Sequence, residues 1–351
     1  MNETKNLLEL FKTRKAHWSD YTEFLELDEN ELVPFFNLAL EITKKEFNNI
    51  LKIYIPNKRF PALSITGNEC ALGCEHCNKK YLDNMKPILN NSELEEYLLK
   101  LADSGGVGIL LSGGCDSEGS IPILNFLDTI KKIKNQTNLI INTHTGLLNE
   151  ETARKLAEAN VDIISFDINL DEEVIRDIYH LEKDLNEYKK AIEILKKYSL
   201  NIVPHICIGI HYGKIHKELE SLKFIKDSGI NPSLIVLIAL IPPKHSILKF
   251  EQVKPLDIAK IVTLTRIIFP TTEISLGCMR PRGRNKNDIE IAAIKAGITR
   301  IEIPSPKTLK KIKKENPNLK FKYISACCAL PEKFEELALS EKADIRRYQI
   351  F

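Results

Sequence analysis

Eight short apolar runs alternate with amphipathic stretches between Pro61 and Ile303, and no feature of the chain restricts its fold more than that alternation. The runs are PALSIT (61–66), GVGILLS (106–112), NLIINT (138–143), VDIISFD (161–167), NIVPHICI (201–208), SLIVLIAL (233–240), TEISLG (272–277) and TRIEI (299–303). Each is rich in β-branched residues and bounded by Gly, Pro, Asn or Asp, the pattern of a strand buried on both faces. Between them, SELEEYLLKLA begins at Ser92 with Glu95 in capping-box spacing, and Leu94, Leu98 and Leu101 share one face. NEETARKLAEAN repeats the logic, with Asn149 as cap and Leu156 inward. About eight such alternations predict an α/β fold, a (βα)8 barrel of TIM type, with an open doubly wound sheet as the alternative. In a barrel, chemistry belongs at the C-terminal ends of the strands.

The expected organisation is one domain with two appendages. Residues 1–58 read as a helical segment whose apolar face, Leu32, Phe35, Phe36, Leu38 and Leu40, packs on the barrel. The barrel occupies 59–306, and 307–351 form a C-terminal extension with one short strand, FKYISACCA, and a final helix.

Net charge is +2, which argues against a dedicated nucleic-acid binder. The run SLIVLIALI is too short to span a membrane, and MNETKNLLELFKTRKAHW has neither the apolar core nor the cleavage site of a secretory signal. A cytoplasmic chain is expected, and its eight cysteines then point to metal rather than a disulfide framework.

Three of those cysteines, Cys70, Cys74 and Cys77, lie in GNECALGCEHCNKK directly after the first strand. Thiolates at this spacing suit an iron–sulfur cluster or zinc. Structural zinc closes with four ligands, whereas three from one loop leave one metal corner open to a small molecule.

CALGCEHC resembles the CxxxCxxC signature of the radical S-adenosylmethionine (SAM) enzymes. The resemblance implies that Cys70, Cys74 and Cys77 ligate a [4Fe–4S] cluster whose open iron binds the methionine end of SAM. Reductive cleavage then gives a 5′-deoxyadenosyl radical that abstracts hydrogen from an unactivated carbon, with ferredoxin or flavodoxin as electron donor. His76 stands where the family usually has an aromatic residue, and an imidazole there packs on adenine. Ser112-Gly113-Gly114 resembles the glycine motif that receives the methionine amino group, and Gly permits close backbone approach. Asp167 and Asn169 at the end of the fourth strand resemble the family's ribose contacts, with the two residue types exchanged relative to biotin synthases. Asn142 and His144 on the third strand point to the same end, while His205 on the fifth reads as a hydrogen-bonded structural residue.

From the N-terminal helix through the eighth strand, order and spacing are most similar to the biotin synthase branch. The second-cluster ligands of that branch are not matched: Asn142, Pro204 and Ser275 occupy three of the positions and Leu111 approximates the fourth. Cys115, Cys278, Cys327 and Cys328 are the candidate ligands of an auxiliary cluster in their place, and Cys207 reads as an ordinary buried thiol. Arg280, Arg282 and Arg284 in MRPRGR suit a carboxylate or an acidic protein surface. The motif wording is similar to archaeal biotin synthase-like proteins, some acting as two-protein lipoyl synthases. That implies sulfur insertion into an octanoyl chain on a lipoyl carrier protein, with a second radical SAM protein as partner. The alternatives are another radical reaction of the branch (biotin synthase, methylase, mutase or lyase) and a non-enzymatic iron–sulfur or zinc protein.

Overall fold

The structure is a computed structural model, and it describes residues 2–244, 246–283 and 285–340. Eleven strands form one sheet: β1 Ile50–Tyr54, β2 Ala62–Ser64, β3 Lys86–Pro87, β4 Gly108–Ser112, β5 Ile140–His144, β6 Ile163–Asp167, β7 Ile202–Ile208, β8 Leu234–Ala239, β9 Glu273–Leu276, β10 Arg300–Glu302 and β11 Lys320–Ile324. Their order is β11-β1-β10-β9-β8-β7-β6-β5-β4-β2-β3. The eight expected strands are β2 and β4 to β10, side by side in sequence order. Every pairing whose register is described is parallel, as a TIM-type α/β fold requires.

Two compact units share the chain. The first comprises Met1–Ile53, Ile206–Pro242 and Phe250–Lys322. Helices Asn2–Lys12, Trp18–Glu26 and Glu29–Glu46 open it, and Phe11, Phe24 and Phe35 meet edge-on or tilted at 5.1–5.7 Å between centroids. Leu32, Phe35, Ala39 and Thr43 are the buried stripe of the third helix, spaced three or four apart, and Phe36, Leu38 and Leu40 stand half-buried beside it. That stripe faces helix Pro255–Ile268, and Thr43 Oγ1 donates to Gly297 O at 2.8 Å. The leading segment is not helical throughout. Ile50–Tyr54 forms β1, because LKIYI supplies a buried, β-branched run after the Asn48-Asn49 left-handed turn (φ 54° at both).

The second unit comprises Tyr54–His205, Pro243–Lys249 and Tyr323–Phe351. Its helix Asn91–Asp103 begins one residue before the expected Ser92. Asn90 is the cap, accepting from Glu93 N at 2.9 Å, and Glu93 rather than Glu95 reaches back to Leu89 N at 3.1 Å. Asn149 caps helix Glu150–Glu158 as expected, accepting from Thr152 N at 2.9 Å. In the tail, Tyr54 donates to Glu335 Oε1 at 2.7 Å within the short helix Glu332–Ala338. Among the described residues no helix is long and apolar enough to cross a membrane.

Candidate functional site

The site lies in the second unit, and strand register assembles its floor. In a parallel sheet paired residues share a face and alternate along each strand. Pairing of Ser64 with Ser112, of His144 with Ser165 and of Asp167 with His205 puts these polar residues on one face, together with Asn142 two residues before His144. Ser165 was not among the expected site residues, although its parity with Asp167 on VDIISFD is visible in the sequence.

At the C-terminal end of this face the chain leaves β2 through Gly67 (φ 59°), whose carbonyl accepts from Ser64 Oγ at 2.6 Å, and enters the cysteine loop. Cys77 N and Asn78 N both bond Cys74 O, at 3.1 and 2.9 Å. Asn78 and Lys79 then take left-handed conformations (φ 44° and 62°) to close the turn. The loop is tied to the end of β4: Ala71 N donates to Cys115 O at 2.7 Å, and Gly114 N donates to Thr66 Oγ1 at 2.7 Å. A Cβ on Gly114 would stand 2.0 Å from Glu69 O and 2.5 Å from Cys70 Cβ. Gly114 is therefore required by the cysteine loop itself, whereas a Cβ on Gly113 would meet only side chains, the nearest Thr66 Oγ1 at 3.1 Å. On its other side the loop is held by segment 178–180. Glu75 N donates to Ile178 O at 2.8 Å, the Cys74 thiol donates to Tyr179 O at 3.5 Å, and His180 Nε2 meets Glu75 Oε1 at 3.1 Å. Ser246 adds a bond to Glu75 Oε2 at 2.5 Å.

Without metal, burial first and the neighbouring thiols second push Cys74 up to about 12. Burial also raises Cys77. Cys115 is likewise pushed up to about 12 by burial, with the charges of Cys70 and Cys74 next, so it shares the electrostatic surroundings of the triplet. A cluster of thiols that raise one another is relieved by a cation, which takes the thiolates and releases their protons. The donor set fits an iron–sulfur cluster.

The surroundings fit a nucleoside-like cofactor. His76 lies 5.2 Å from the Tyr179 ring, and burial lowers it to about 4 against the pull of Asp167, so it is a neutral flat surface at neutral pH. Its Nδ1 is closed off from solvent with no hydrogen-bond partner among the described residues. Asn169 is 6% exposed; its Oδ1 accepts from Asp171 N at 3.3 Å, and its Nδ2 has no partner. Asp167, two residues before it, is exposed at the strand end. An orphaned buried donor and an orphaned ring nitrogen, both beside the cysteine loop or the strand end, are the mark of a site that a ligand completes.

Deeper on the floor, the His144 and His205 rings are 5.7 Å apart at 80°. His205 Nδ1 bonds Val203 O at 2.9 Å, the structural hydrogen bond expected of it. Ser112 Oγ and His144 Nδ1 approach to 3.4 Å. Burial lowers both imidazoles, His205 to about 4, against the charge of Asp167. Ser165 Oγ donates to Asn142 Oδ1 at 2.9 Å, which turns the other end of that amide, Nδ2, toward Cys327 Sγ at 4.0 Å. Cys327 is half-exposed and Cys328 is 3% exposed, so the two adjacent thiols have different surroundings.

In the first unit, Cys278 is half-exposed and Arg282 exposed. Arg280 departs from the expected substrate anchor. It is 2% exposed, pairs with Glu290 at 2.7 Å, and donates to Gly277 O at 2.6 Å and Glu302 O at 2.7 Å. A short polar loop does not reveal from sequence that its first guanidinium folds inward onto a carboxylate ten residues ahead. Arg284 lies outside the described residues.

Residues 64–225 match the sequence model of the Radical SAM superfamily. The chain is 27% identical over 260 residues to a biotin synthase of Buchnera aphidicola subsp. Schizaphis graminum, covering 70% of this chain and 72% of that one. It is 24% identical over 298 residues to a biotin synthase of Methanococcus vannielii, covering 79% and 85%. Among solved structures, its fold is similar to methylornithine synthase (TM-score 0.62, 17% identity, 86% of each chain). It is also similar to the FeFe-hydrogenase maturase HydG of Carboxydothermus hydrogenoformans (TM-score 0.68, 16% identity, 95% of this chain and 82% of that one).

Proposed function

We propose that the chain is a radical SAM protein, as the match over residues 64–225 and the biotin synthase relatives support, and that it inserts sulfur at an unactivated carbon. A [4Fe–4S] cluster bound at the loop would supply the electron for reductive SAM chemistry and, through it, hydrogen abstraction from substrate. Cys70, Cys74 and Cys77 hold the cluster. Gly113 and Gly114, with Ser112 before them, let the methionine end approach the backbone. Asn169 Nδ2 and the Asp167 carboxylate bind ribose hydroxyls, and the neutral His76 ring packs on adenine with its Nδ1 free to accept. The neutral His144 and His205, with Asn142 and Ser165, form the polar floor beneath. The pair of orphaned buried atoms around a three-thiol loop is the observation that carries the reading.

Sulfur insertion, in preference to a methylase, mutase or lyase reaction, is supported by the names of the relatives and by Cys327, a tail thiol set against Asn142 on that floor. Cys327 is the first candidate ligand of an auxiliary cluster, with Cys115, Cys278 and Cys328 after it. Two substrates follow from the resemblances, that of biotin synthases and an octanoylated lipoyl carrier protein; the second would act with a partner radical SAM protein.

Anaerobic reconstitution with iron counting tests the cluster inventory. About eight irons in the wild type and about four after replacing Cys70, Cys74 and Cys77 by Ala are expected for two [4Fe–4S] clusters. An iron-free triple variant would remove the auxiliary cluster and leave a radical reaction without sulfur insertion. Release of 5′-deoxyadenosine and sulfurated product from each of the two substrates then decides between them.

A further inference from the structure

Cys115 stands one residue past the Gly113-Gly114 turn, and its backbone is fixed against the cysteine loop. Its carbonyl accepts from Ala71 N at 2.7 Å, so residues 70–71 and 114–115 lie in direct contact. A Cβ on Gly114 would come 2.5 Å from Cys70 Cβ and 2.7 Å from Cys70 Cα. The next Cα is about 3.8 Å further along the chain, which keeps the Cα atoms of Cys70 and Cys115 within about 8 Å of each other. Gly114 N, which donates to Thr66 Oγ1 at 2.7 Å, fixes the turn from its other side.

The thiol belongs to the same group as the triplet. Cys115 is a free, half-buried cysteine, as are Cys70, Cys74 and Cys77. The Cys74 thiol donates to Tyr179 O, whereas the Cys115 thiol makes no hydrogen bond among the described residues. After burial, the groups that act most on it are Cys70 and Cys74, ahead of Asp116 and Asp167. Cys74 in turn feels Cys77 and Cys70. The fourth thiol therefore joins the triplet on the side of Cys70 and Cys74. A [4Fe–4S] cluster takes one thiolate at each of its irons, and three loop thiols leave one corner without sulfur. At that corner a soft thiolate is preferred to the oxygen of water.

We propose that Cys115 is the fourth sulfur ligand of the loop's [4Fe–4S] cluster while SAM is absent, and that SAM displaces it. The inference rests on the radical SAM reading, which alone puts a cluster with one exchangeable corner at this loop. It takes Cys115 out of the auxiliary set and leaves Cys327 as that set's first member. In the exchange the Cys115 thiolate gives up its bond to iron and takes the proton that the methionine ammonium releases. The amino nitrogen and carboxylate of SAM fill the place, and no electron moves. Cys115 thus holds the fourth iron against loss before the cofactor arrives, among thiols that are only half-buried.

The test compares the anaerobically reconstituted wild type with Cys115→Ala and with Cys115→Ser, which nearly keeps the volume without the soft donor. Iron is counted per chain, and the cluster is then oxidised with ferricyanide in the absence of SAM. Loss of the fourth iron is read as the [3Fe–4S] signal in electron paramagnetic resonance, and calorimetry reads SAM binding. Both variants should start with the wild type's iron and lose the fourth iron several-fold faster. SAM added first should protect all three proteins alike. SAM should bind Cys115→Ala about tenfold more tightly than the wild type, in which the uncapped form is a minority of molecules. Equal rates of iron loss in the three proteins, or an unchanged SAM affinity, would overturn the ligand. So would a Ser variant that behaves as the wild type, which would assign Cys115 to packing. An iron content halved by Cys115→Ala would overturn it as well, by placing Cys115 in an auxiliary cluster. A wild type that assembles no cluster through Cys70, Cys74 and Cys77 would sink the radical SAM reading, and the ligand with it.

Discussion

The two units bury different kinds of polar group, paired charges in the first and neutral donors beside thiols in the second. In the first, each deep charge is met by protein groups: Arg280 by Glu290 and carbonyls, Arg300 and Lys52 by Glu273, Arg266 by the carbonyls of Gly297, Phe269, Pro270 and Thr272. Burial lowers Arg266 to about 9, so it still carries its charge at neutral pH. In the second, the buried polar atoms near the cysteine loop are left open, at His76 Nδ1 and Asn169 Nδ2, and the thiols raise one another's pKa. Charges answered within the chain mark structure; unpartnered buried atoms occur in both units, Thr263 Oγ1 and Ser275 Oγ among them in the first, and those of His76 and Asn169 mark a site because they lie by the cysteine loop and the strand end. That difference separates Arg280 from Asn169, although both looked like ligand-binding residues in the sequence.

The largest expected effect comes from breaking an answered pair. Arg280→Met leaves the buried Glu290 with only Lys286, 3.8 Å away, as counter-charge and should cost about 3 kcal/mol in chemical unfolding. The iron bound per folded molecule should not change. Adding Glu290→Leu should recover part of the loss, because removing both charges also removes their desolvation cost. A variant that melts normally and loses only substrate turnover would make Arg280 an anchor and break the comparison. The next effect is at Gly114. Gly114→Ala forces a methyl into Glu69 O and Cys70, a strain of about 1–3 kcal/mol on the cysteine loop, so reconstituted iron should fall sharply and the melting temperature should drop by a few degrees. Gly113→Ala should be mild, since the side chains it meets can turn aside. Equal iron loss in both would mean that the glycines serve the ligand rather than the loop.

The eight parallel strands were legible because each combines a β-branched run with a turn residue, and the site's end of the sheet followed from the fold class. The cysteine triplet was legible through its spacing. What escaped was everything set by distant pairing. β1 was absorbed into a helical segment because LKIYI is short and follows a long helical pattern. The cap of helix Asn91–Asp103 was misplaced because ILNNSELEE offers several cap candidates, and only the structure selects Asn90. The clamp of Glu75 by Ser246 joins residues 171 positions apart, and the contact of Cys327 with Asn142 joins residues 185 apart; neither leaves a local periodicity to read.

Asn169→Ala sharpens the comparison from the other side. Its Nδ2 contributes no bond within the described structure and its Oδ1 only a long one, from Asp171 N at 3.3 Å, so stability should fall by no more than about 1 kcal/mol. Removing a buried donor that meets a ligand hydroxyl costs about 1–3 kcal/mol, or about five- to 150-fold in SAM affinity, read by calorimetry on the reconstituted protein. A loss of stability with unchanged SAM binding would show that this amide belongs with the answered groups of the first unit.

The smallest effect is a slope with pH, and it tests whether the polar floor is built to stay neutral. His205 falls to about 4 through burial, from an ordinary value of 6.5, and its Nδ1 is engaged with Val203 O. Its folded pKa lies below its unfolded one, so between those values the unfolded chain holds a proton that the folded chain does not. The stability that depends on neutral His205 is therefore fully present above pH 6.5 and is lost as pH falls toward 4. One such group contributes a slope of up to about 1.4 kcal/mol per pH unit inside the window. His205→Gln keeps a polar side chain without that titration, so its unfolding free energy from denaturant titration should fall less than the wild type's between pH 6 and pH 5, by about 1 kcal/mol. A wild-type slope that the substitution leaves unchanged would assign the titration elsewhere, with His144 the neighbouring imidazole under the same burial.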